Sequence, residues 1–381
     1  YHQTRERGYV FAPLEVAEYV SLATQVLLRT KFGIRLSDSF VNFGHGNTLW
    51  IDERRAELNA TGYFDTLPYD MRPEPLHLAL DSTRKQLDAV ASGLIGYMPP
   101  LSERTAKEDY RPDPAGIRSW VAQFGTDDLS DAAIRCLEKL HFVGRRAINQ
   151  VVRAFLESHP EYESAVIVPL GTAKDSSAIN TYYALDVADA FPDLVVMSLP
   201  DAITSGRPIL MIDDVTVSGR QGASIISAWF GDFALAQEMG EQREAVAAEL
   251  QDRLRNQKVA MLFCAAFSDG LRLIASAAHR HGLTSFEVHA SLVDDDVPSI
   301  DHVDFESEAQ KETFVSCCRD FGAQLIGEHA KQADRALGYG NKGLLLVFPY
   351  NTTSQSLTCL WEQGDVNGRR WEPLLPRRRK A

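Results

Sequence analysis

The chain has 381 residues, 45% of them hydrophobic and 24% charged, with 39 Lys and Arg against 52 Asp and Glu for a net charge of −13. That length exceeds one minimal domain, and two units are the expectation. The acidic balance argues against a protein whose task is to coat nucleic acid or an anionic membrane, and no apolar stretch approaches the roughly 18–20 residues of a membrane span.

The N-terminal third reads as an amphipathic helix over 14–33, with Val16, Tyr19, Val20, Ala23, Val26 and Leu27 at helical spacing. An irregular stretch rich in Gly, Asn, Asp and Pro follows from Ser37 to about Pro75, then a second helix over about 75–95. Pro99-Pro100 and Arg111-Pro-Asp-Pro114 mark a linker, so residues 1–113 form a mostly helical or irregular region of unassigned role and 114–381 a separate domain. His45, in Phe-Gly-His-Gly-Asn, reads as a loop residue, because no partner stands at metal-ligand spacing.

From Gly116 the pattern changes. Helices are expected over about 116–124, 129–141 and 144–158. Six short apolar runs then begin: 165–168, 194–197, 209–212, 259–263, 286–290 and 344–348, with helical segments at about 175–190, 220–235, 239–256, 269–281 and 307–332. Most runs are continuous rather than alternating, which suits strands covered on both faces. Strand and helix in alternation give an α/β fold with a doubly wound, mainly parallel sheet. In such a sheet the ligand sits beyond the C-terminal strand ends, where the connections reverse direction.

The third run carries the chemistry. Ile209-Leu-Met-Ile is followed by Asp213-Asp214-Val215 and then Thr216-Val217-Ser218-Gly219-Arg220-Gln221 before a helix. Hydroxyls of Thr216 and Ser218, amides around Gly219 and the helix dipole converge on an anion. Gly219 lets the backbone approach closely. The two carboxylates repel a phosphate and suit sugar hydroxyls or a hydrated divalent cation; the plain alternative is a strand end with an Asp helix cap. The first run supplies a second loop, Gly171-Thr172-Ala173-Lys174-Asp175-Ser176-Ser177, whose small residues, single Lys and hydroxyls again describe an anion cradle. It lacks the G-x-x-x-x-G-K-[ST] spacing of a Walker A loop. Two such loops suggest a ligand with phosphates at both ends of a sugar.

The Asp213-Asp214 segment resembles the signature of the type I phosphoribosyltransferases. That resemblance implies that Asp213 and Asp214 meet ribose hydroxyls, that Thr216, Val217, Ser218, Gly219, Arg220 and Gln221 hold the 5′-phosphate, and that Gly171 to Ser177 form the pyrophosphate loop. Ser198 to Arg207 would be the mobile flap. Gln221 stands where that group usually has Thr or Ser. A closer resemblance, to the PRTase-CE group, rests on Trp120-Val-Ala-Gln-Phe124, the Ser-Gly-x-Gln turn at 218–221, Gly338-Tyr-Gly-Asn341-Lys-Gly343, Phe348-Pro-Tyr-Asn351, Leu360-Trp361 and Trp371-Glu-Pro-Leu-Leu-Pro-Arg377. It implies an effector of bacterial conflict or antiphage systems with partner proteins from a defence operon.

The expected function is therefore an enzyme acting at the anomeric carbon of 5-phosphoribosyl-1-pyrophosphate or a nucleotide, with Asp213, Asp214 and Lys174 as its catalytic residues. Mg²⁺ would be bound mainly through the ligand, and no residue set is assigned as a protein metal site. The alternative is a non-catalytic sensor of the same ligand that regulates a partner protein. A DNA-binding regulator ranks last, because residues 1–120 carry near-balanced charge rather than a basic footprint. A homodimer is compatible with the sequence.

Cys136, Cys264, Cys317, Cys318 and Cys359 show no C-x-x-C spacing and fit reduced core thiols. With no signal peptide visible, the expected location is the cytoplasm. Three features stay open on sequence alone: Asp294-Asp-Asp296 as metal ligands or solvated loop, Asn341, Tyr350 and Asn351 as base-selecting or structural groups, and the basic residues Arg369, Arg370 and Arg377 to Lys380 as solvated tail or phosphate-binding arm.

Overall fold

The computed structural model describes residues 2–3, 9–10, 79–94, 97, 112–170, 176–327, 333–349 and 351–377. The helix expected at 14–33, His45, Lys174 with the rest of 171–175, and Tyr350 lie outside the described residues. The chain divides into two compact units, Tyr1–Ser82 and Thr83–Ala381. In the first, strands β1 (His2–Gln3) and β2 (Tyr9–Val10) pair antiparallel.

The next element among the described residues is helix α1 (Ala79–Gly93). Helix α2 (Pro114–Ala122) begins where Pro114 presets the first helical φ and Asp113 accepts from the Gly116 amide at 2.6 Å. Thr126 caps α3 (Asp127–Glu138) in the same way, accepting from Leu129 at 3.3 Å. Strand β3 (His141–Phe142) and helix α4 (Arg145–Ser158) lead into the main sheet.

The main sheet is built from β4 (Val166–Ile167), β5 (Val195–Val196), β6 (Ile209–Thr216), β7 (Val259–Ala266) and β8 (Phe286–Val293). Its order is β5-β4-β6-β7-β8 and every neighbouring pair is parallel. The intervening helices are α5 (Ser176–Ala184), α6 (Leu199–Ser205), α7 (Arg220–Trp229), α8 (Ala234–Glu238), α9 (Ala248–Asn256) and α10 (Ser268–Arg280).

Alternate strand residues point to opposite faces, and both faces are covered. Ile209, Met211, Val259, Met261 and Phe263 pack with Ala202, Ile226, Trp229, Leu254 and Ile274 on one side. Leu210, Ile212, Ala260 and Leu262 pack with Val152, Phe155, Leu156, Tyr162 and Val187 on the other. This is why the first, third and fourth runs are apolar without alternation. The fifth is different: β8 is an edge strand, with Phe286, Val288 and Ala290 against the first face, while Glu287 and His289 are level with Ala260 and Leu262 on the second.

Downstream come α11 (Glu308–Ile326), β9 (Leu346–Phe348), β10 (Asn351–Thr352), α12 (Thr358–Trp361), β11 (Gly364–Val366) and β12 (Arg369–Trp371). The sixth apolar run does not join the main sheet. Strand β9 sits between β10 and β3 in a smaller sheet, parallel to β3 and antiparallel to β10. A third core joins the two ends of this unit. Trp120, Phe124, Phe314, Phe321 and Trp371 form a cluster of aromatic rings with centroids 5.1–6.2 Å apart.

The helix expected over 239–256 is shorter, because Gly240 adopts φ +68° after α8 and α9 starts only at Ala248. Ser198 to Arg207, expected to be a flap, is the capped helix α6 docked on the sheet. Ala202 and Ile203 are buried, and Gln257 donates to the Ala202 carbonyl at 3.0 Å. No helix among the described residues is long and apolar enough to cross a membrane.

Candidate functional site

The strand order places a topological switch between β4 and β6, since the chain leaves β4 towards one sheet edge and leaves β6 towards the other. A crevice opens where such connections diverge. The loop after β4 and the turn after β6 both belong to this edge, and both were singled out by sequence.

Asp213 and Asp214 are not in the turn. Strand β6 continues through them to Thr216, held by β7 pairing as far as Thr216 with Ala266. Asp213 is buried and Asp214 half-buried. Each carboxylate accepts the amide of the next residue: Asp214 N–H to Asp213 Oδ1 at 3.0 Å, and Val215 N–H to Asp214 Oδ1 at 2.7 Å. Cys264 of β7 is buried beside them, and its thiol pKa is pushed up by burial and then by both aspartates. The two carboxylates make the end of this strand acidic.

The turn itself is Val217, Ser218 and Gly219. Val217 is buried among Val143, Val215 and Leu346, so its share in a phosphate site is confined to its backbone. Gly219 caps α7 in the left-handed region, φ +69°, and has no side chain of its own to offer the helix amides. The Arg220 amide donates to Ser218 Oγ at 3.5 Å. The first turn of α7 therefore offers backbone donors and a positive dipole end to an anion. The Arg220 side chain turns away and pairs with Glu238 at 2.8 Å. Gln221 stands half-buried on the first turn of α7.

Sequence reading explained Gly219 by ligand approach. The structure adds a second cause: a Cβ there would lie 2.1 Å from the Gly270 carbonyl oxygen. Reciprocally, a Cβ on Gly270 would lie 2.5 Å from the Val217 carbonyl oxygen. Two glycines, one in the turn and one on α10, interlock backbone to backbone. The Gly270 signal was present in the sequence, but nothing local tied it to a turn more than 50 positions upstream.

Of the upstream loop, Ser176 and Ser177 open helix α5, whereas Gly171, Thr172, Ala173, Lys174 and Asp175 lie outside the described residues.

The C-terminal segment brings groups that sequence reading left unassigned. The Tyr339 hydroxyl lies 3.4 Å from Ser218 Oγ, and a Cβ at Gly340 would touch Val217 at 3.7 Å. Arg335 sits over the Tyr339 ring at 5.1 Å. Arg377 is not a solvated tail residue. It is partly buried, stacks over Trp361 at 5.4 Å, and its Nε has no hydrogen-bond partner. Burial lowers its pKa while Asp214 and Glu362 oppose the shift, so a cation stands within electrostatic reach of the acidic pair.

Four other residues left open by the sequence have partners within the protein. Asp294 accepts the Ser268 amide at 2.8 Å and its hydroxyl, capping α10. Asn341 accepts the Leu337 amide at 3.1 Å, a structural bond. Asn351 pairs with Phe348 in the small sheet, and Arg370 pairs with Glu372 at 3.2 Å.

Among solved structures the chain is similar to the AQ2163 protein from Aquifex aeolicus, at 14% identity over 52% of this chain and 88% of that one with a TM-score of 0.25. No curated protein matches it. The family model PRTase-CE matches residues 117–377, from α2 through the last described residue. That span covers the switch-point turn, the interlocked glycines and the C-terminal groups that reach them, and the chain belongs to the PRTase-CE family of phosphoribosyltransferase-like proteins.

Proposed function

We propose that this site binds the phosphorylated ribose of 5-phosphoribosyl-1-pyrophosphate or of a nucleotide and acts at its anomeric carbon. The observation that carries the reading is the placement of Asp213 and Asp214 in the C-terminal half of β6, one short turn ahead of the glycine-capped N-terminus of α7 at the sheet's switch point. The α7 amides and Ser218 suit a 5′-phosphate, and the two carboxylates suit ribose hydroxyls. Breaking the bond at the anomeric carbon builds positive charge on the sugar ring, which the acidic pair stabilises. Lys174 is proposed to meet the leaving pyrophosphate, with Arg377 as a second cation near Asp214.

Mg²⁺ fits this donor set only in part. One oxygen of each aspartate already accepts the next backbone amide, which weakens it as a metal ligand. The ion would be held mainly through ligand oxygens, with Asp213 and Asp214 at its hydration shell, and would supply charge neutralisation of the leaving group. We further propose, from the family, an effector role in bacterial antiphage defence.

The test is the Asp213→Asn/Asp214→Asn double variant of the full chain. Ligand binding is read by calorimetry with 5-phosphoribosyl-1-pyrophosphate and Mg²⁺, product by chromatography, and toxicity by growth of expressing cells. Loss of binding and of turnover together supports the proposal. Wild-type binding with no product from any nucleotide or base supports the sensor reading instead, and undiminished turnover in the double variant refutes both carboxylate roles.

A further inference from the structure

Away from the switch point, three side chains with metal-ligand chemistry meet at the β8 edge of the sheet. One donor atom each from His159, Glu287 and His289 lies within 4.8 Å of the other two. Glu287 and His289 are two apart on an edge strand, so they share a face. His159 follows the end of α4 and reaches over the same face. We propose that His159, Glu287 and His289 form a site for a divalent transition-metal ion of the zinc class, independent of the phosphoribosyl site.

Two imidazoles and one carboxylate are the donors that zinc and its neighbours prefer, whereas Mg²⁺ and Ca²⁺ take oxygen sets. The His289 Nε2 to Glu287 Oε2 separation is 3.0 Å. Bonds of about 2.0–2.2 Å in a tetrahedron place donors about 3.3 Å apart, so this pair is already spaced to share an ion. His159 completes the set by a side-chain adjustment of no more than about 1.5 Å, since its donor atom lies within 4.8 Å of the other two.

The His159 ring is oriented beforehand. Its Nδ1 lies 2.9 Å from the Phe155 carbonyl oxygen, and the ring stacks on Phe155 with centroids 4.4 Å apart. Ser158 Oγ lies 2.9 Å from the same nitrogen, so two neighbours occupy Nδ1 and Nε2 is the nitrogen left for an ion. Outer-shell contacts of this kind orient the ring in histidine metal sites.

A second observation comes from beneath. Tyr162 is fully buried, its ring 5.4 Å from Phe155, and its hydroxyl has no hydrogen-bond partner. Burying a hydroxyl unpaired is costly, and the first charged group acting on this one is Glu287 of the same cluster. An apolar rim would have sealed this edge more cheaply, since the opposite face of β8 is sealed by Phe286, Val288 and Ala290. Partial exposure of all three ligands leaves an entry path and a fourth coordination position for water. Binding replaces the His289–Glu287 contact by a bond from each side chain to the ion.

The experiment uses the full chain, stripped with a chelator and titrated with Zn²⁺ by calorimetry and with Co²⁺ by visible absorption. One equivalent is expected, with tetrahedral or five-coordinate Co²⁺ bands. His159→Ala and His289→Ala should each weaken Zn²⁺ by more than about tenfold, since loss of even an outer-shell partner costs about 10–100-fold. The Asp213→Asn/Asp214→Asn variant should bind it unchanged, which separates this site from the phosphoribosyl one. X-ray absorption at the zinc edge of the wild-type protein supplies a reading that needs no variant, with two imidazoles expected. Absence of saturable binding, undiminished affinity in His289→Ala, or fewer than two imidazoles overturns the proposal.

Discussion

Replacing Gly219 by Ala tests the interlock on which the turn depends. Two costs add. The backbone there sits at φ +69°, where an L side chain costs about 1–2 kcal/mol. The new Cβ would also lie 2.1 Å from the Gly270 carbonyl oxygen and 2.9 Å from its Cα, against a comfortable contact of about 3.5 Å. Both atoms are backbone, so α10 or the turn must move by about 1 Å, and overpacking of this kind costs about 1–3 kcal/mol. The sum is about 2–5 kcal/mol. Gly240→Ala is the control: φ is +68° and nothing lies within 4 Å of its Cβ, so only about 1–2 kcal/mol is lost. Both substitutions restrict the unfolded chain equally, and that term cancels in the comparison. Urea unfolding followed by fluorescence of Trp229, buried on α7, should therefore put Gly219→Ala about 1–3 kcal/mol below Gly240→Ala at similar m. Equal stabilities, within about 0.5 kcal/mol, would refute the interlock and leave only the φ requirement.

Arg377→Met keeps a stem that packs on Trp361 and removes the cation near Asp214. Calorimetry with 5-phosphoribosyl-1-pyrophosphate should show affinity reduced at least tenfold, about 1.4 kcal/mol, and unchanged affinity would remove Arg377 from the site. The cysteines give a pH prediction. Burial raises the thiol pKa of Cys136, Cys264 and Cys318 above the ordinary 9.0, and that of Cys317 to about 12. The unfolded chain then binds fewer protons than the folded one above pH 9, so stability is full below that value and falls as pH rises through the window to about 12. Urea midpoints at pH 7, 9 and 10.5 should decline in the last step, and Cys264→Ala should flatten part of the decline; a flat profile in the wild type would show that these thiols titrate normally when folded.

Much of the sheet was legible because burial on both faces writes itself as continuous apolar runs, as in Ile209-Leu-Met-Ile and Val259-Ala-Met-Leu-Phe. The turn was legible because hydroxyls and glycine stand in sequence next to the strand they end. What escaped was non-local. Strand β3 is His141–Phe142 alone, too short for any period, and its partner Leu346–Val347 lies about 200 positions downstream. The extension of β6 through Asp213 and Asp214 escaped because carboxylates interrupt the apolar signal while the β7 ladder continues past them. His159 and the Glu287–His289 pair show no ligand spacing, because the sheet and α4, not the local chain, bring them together.

The C-terminal region is where these non-local contacts acquire a function. The last strand of the main sheet ends at Val293, yet the family match runs on to residue 377. Packing explains why. The aromatic core of Trp120, Phe124, Phe314 and Trp371 ties α2 to α11 and β12, and β9 pairs with β3 just ahead of α4. Those two attachments fix the intervening segments over the edge where β6 ends, so that Tyr339 reaches Ser218 and Arg377 stands near Asp214. A turn of amides and two carboxylates alone would present one anion site and one acidic site side by side, open to water. On the proposed reading, closing it with a tyrosine and a partly buried arginine would lower the local dielectric and add a positive charge, and each electrostatic contact with a phosphorylated sugar would grow stronger. The region beyond the sheet is in this sense the wall of the site, and it is the part of the chain whose loss should cost binding before it costs the sheet.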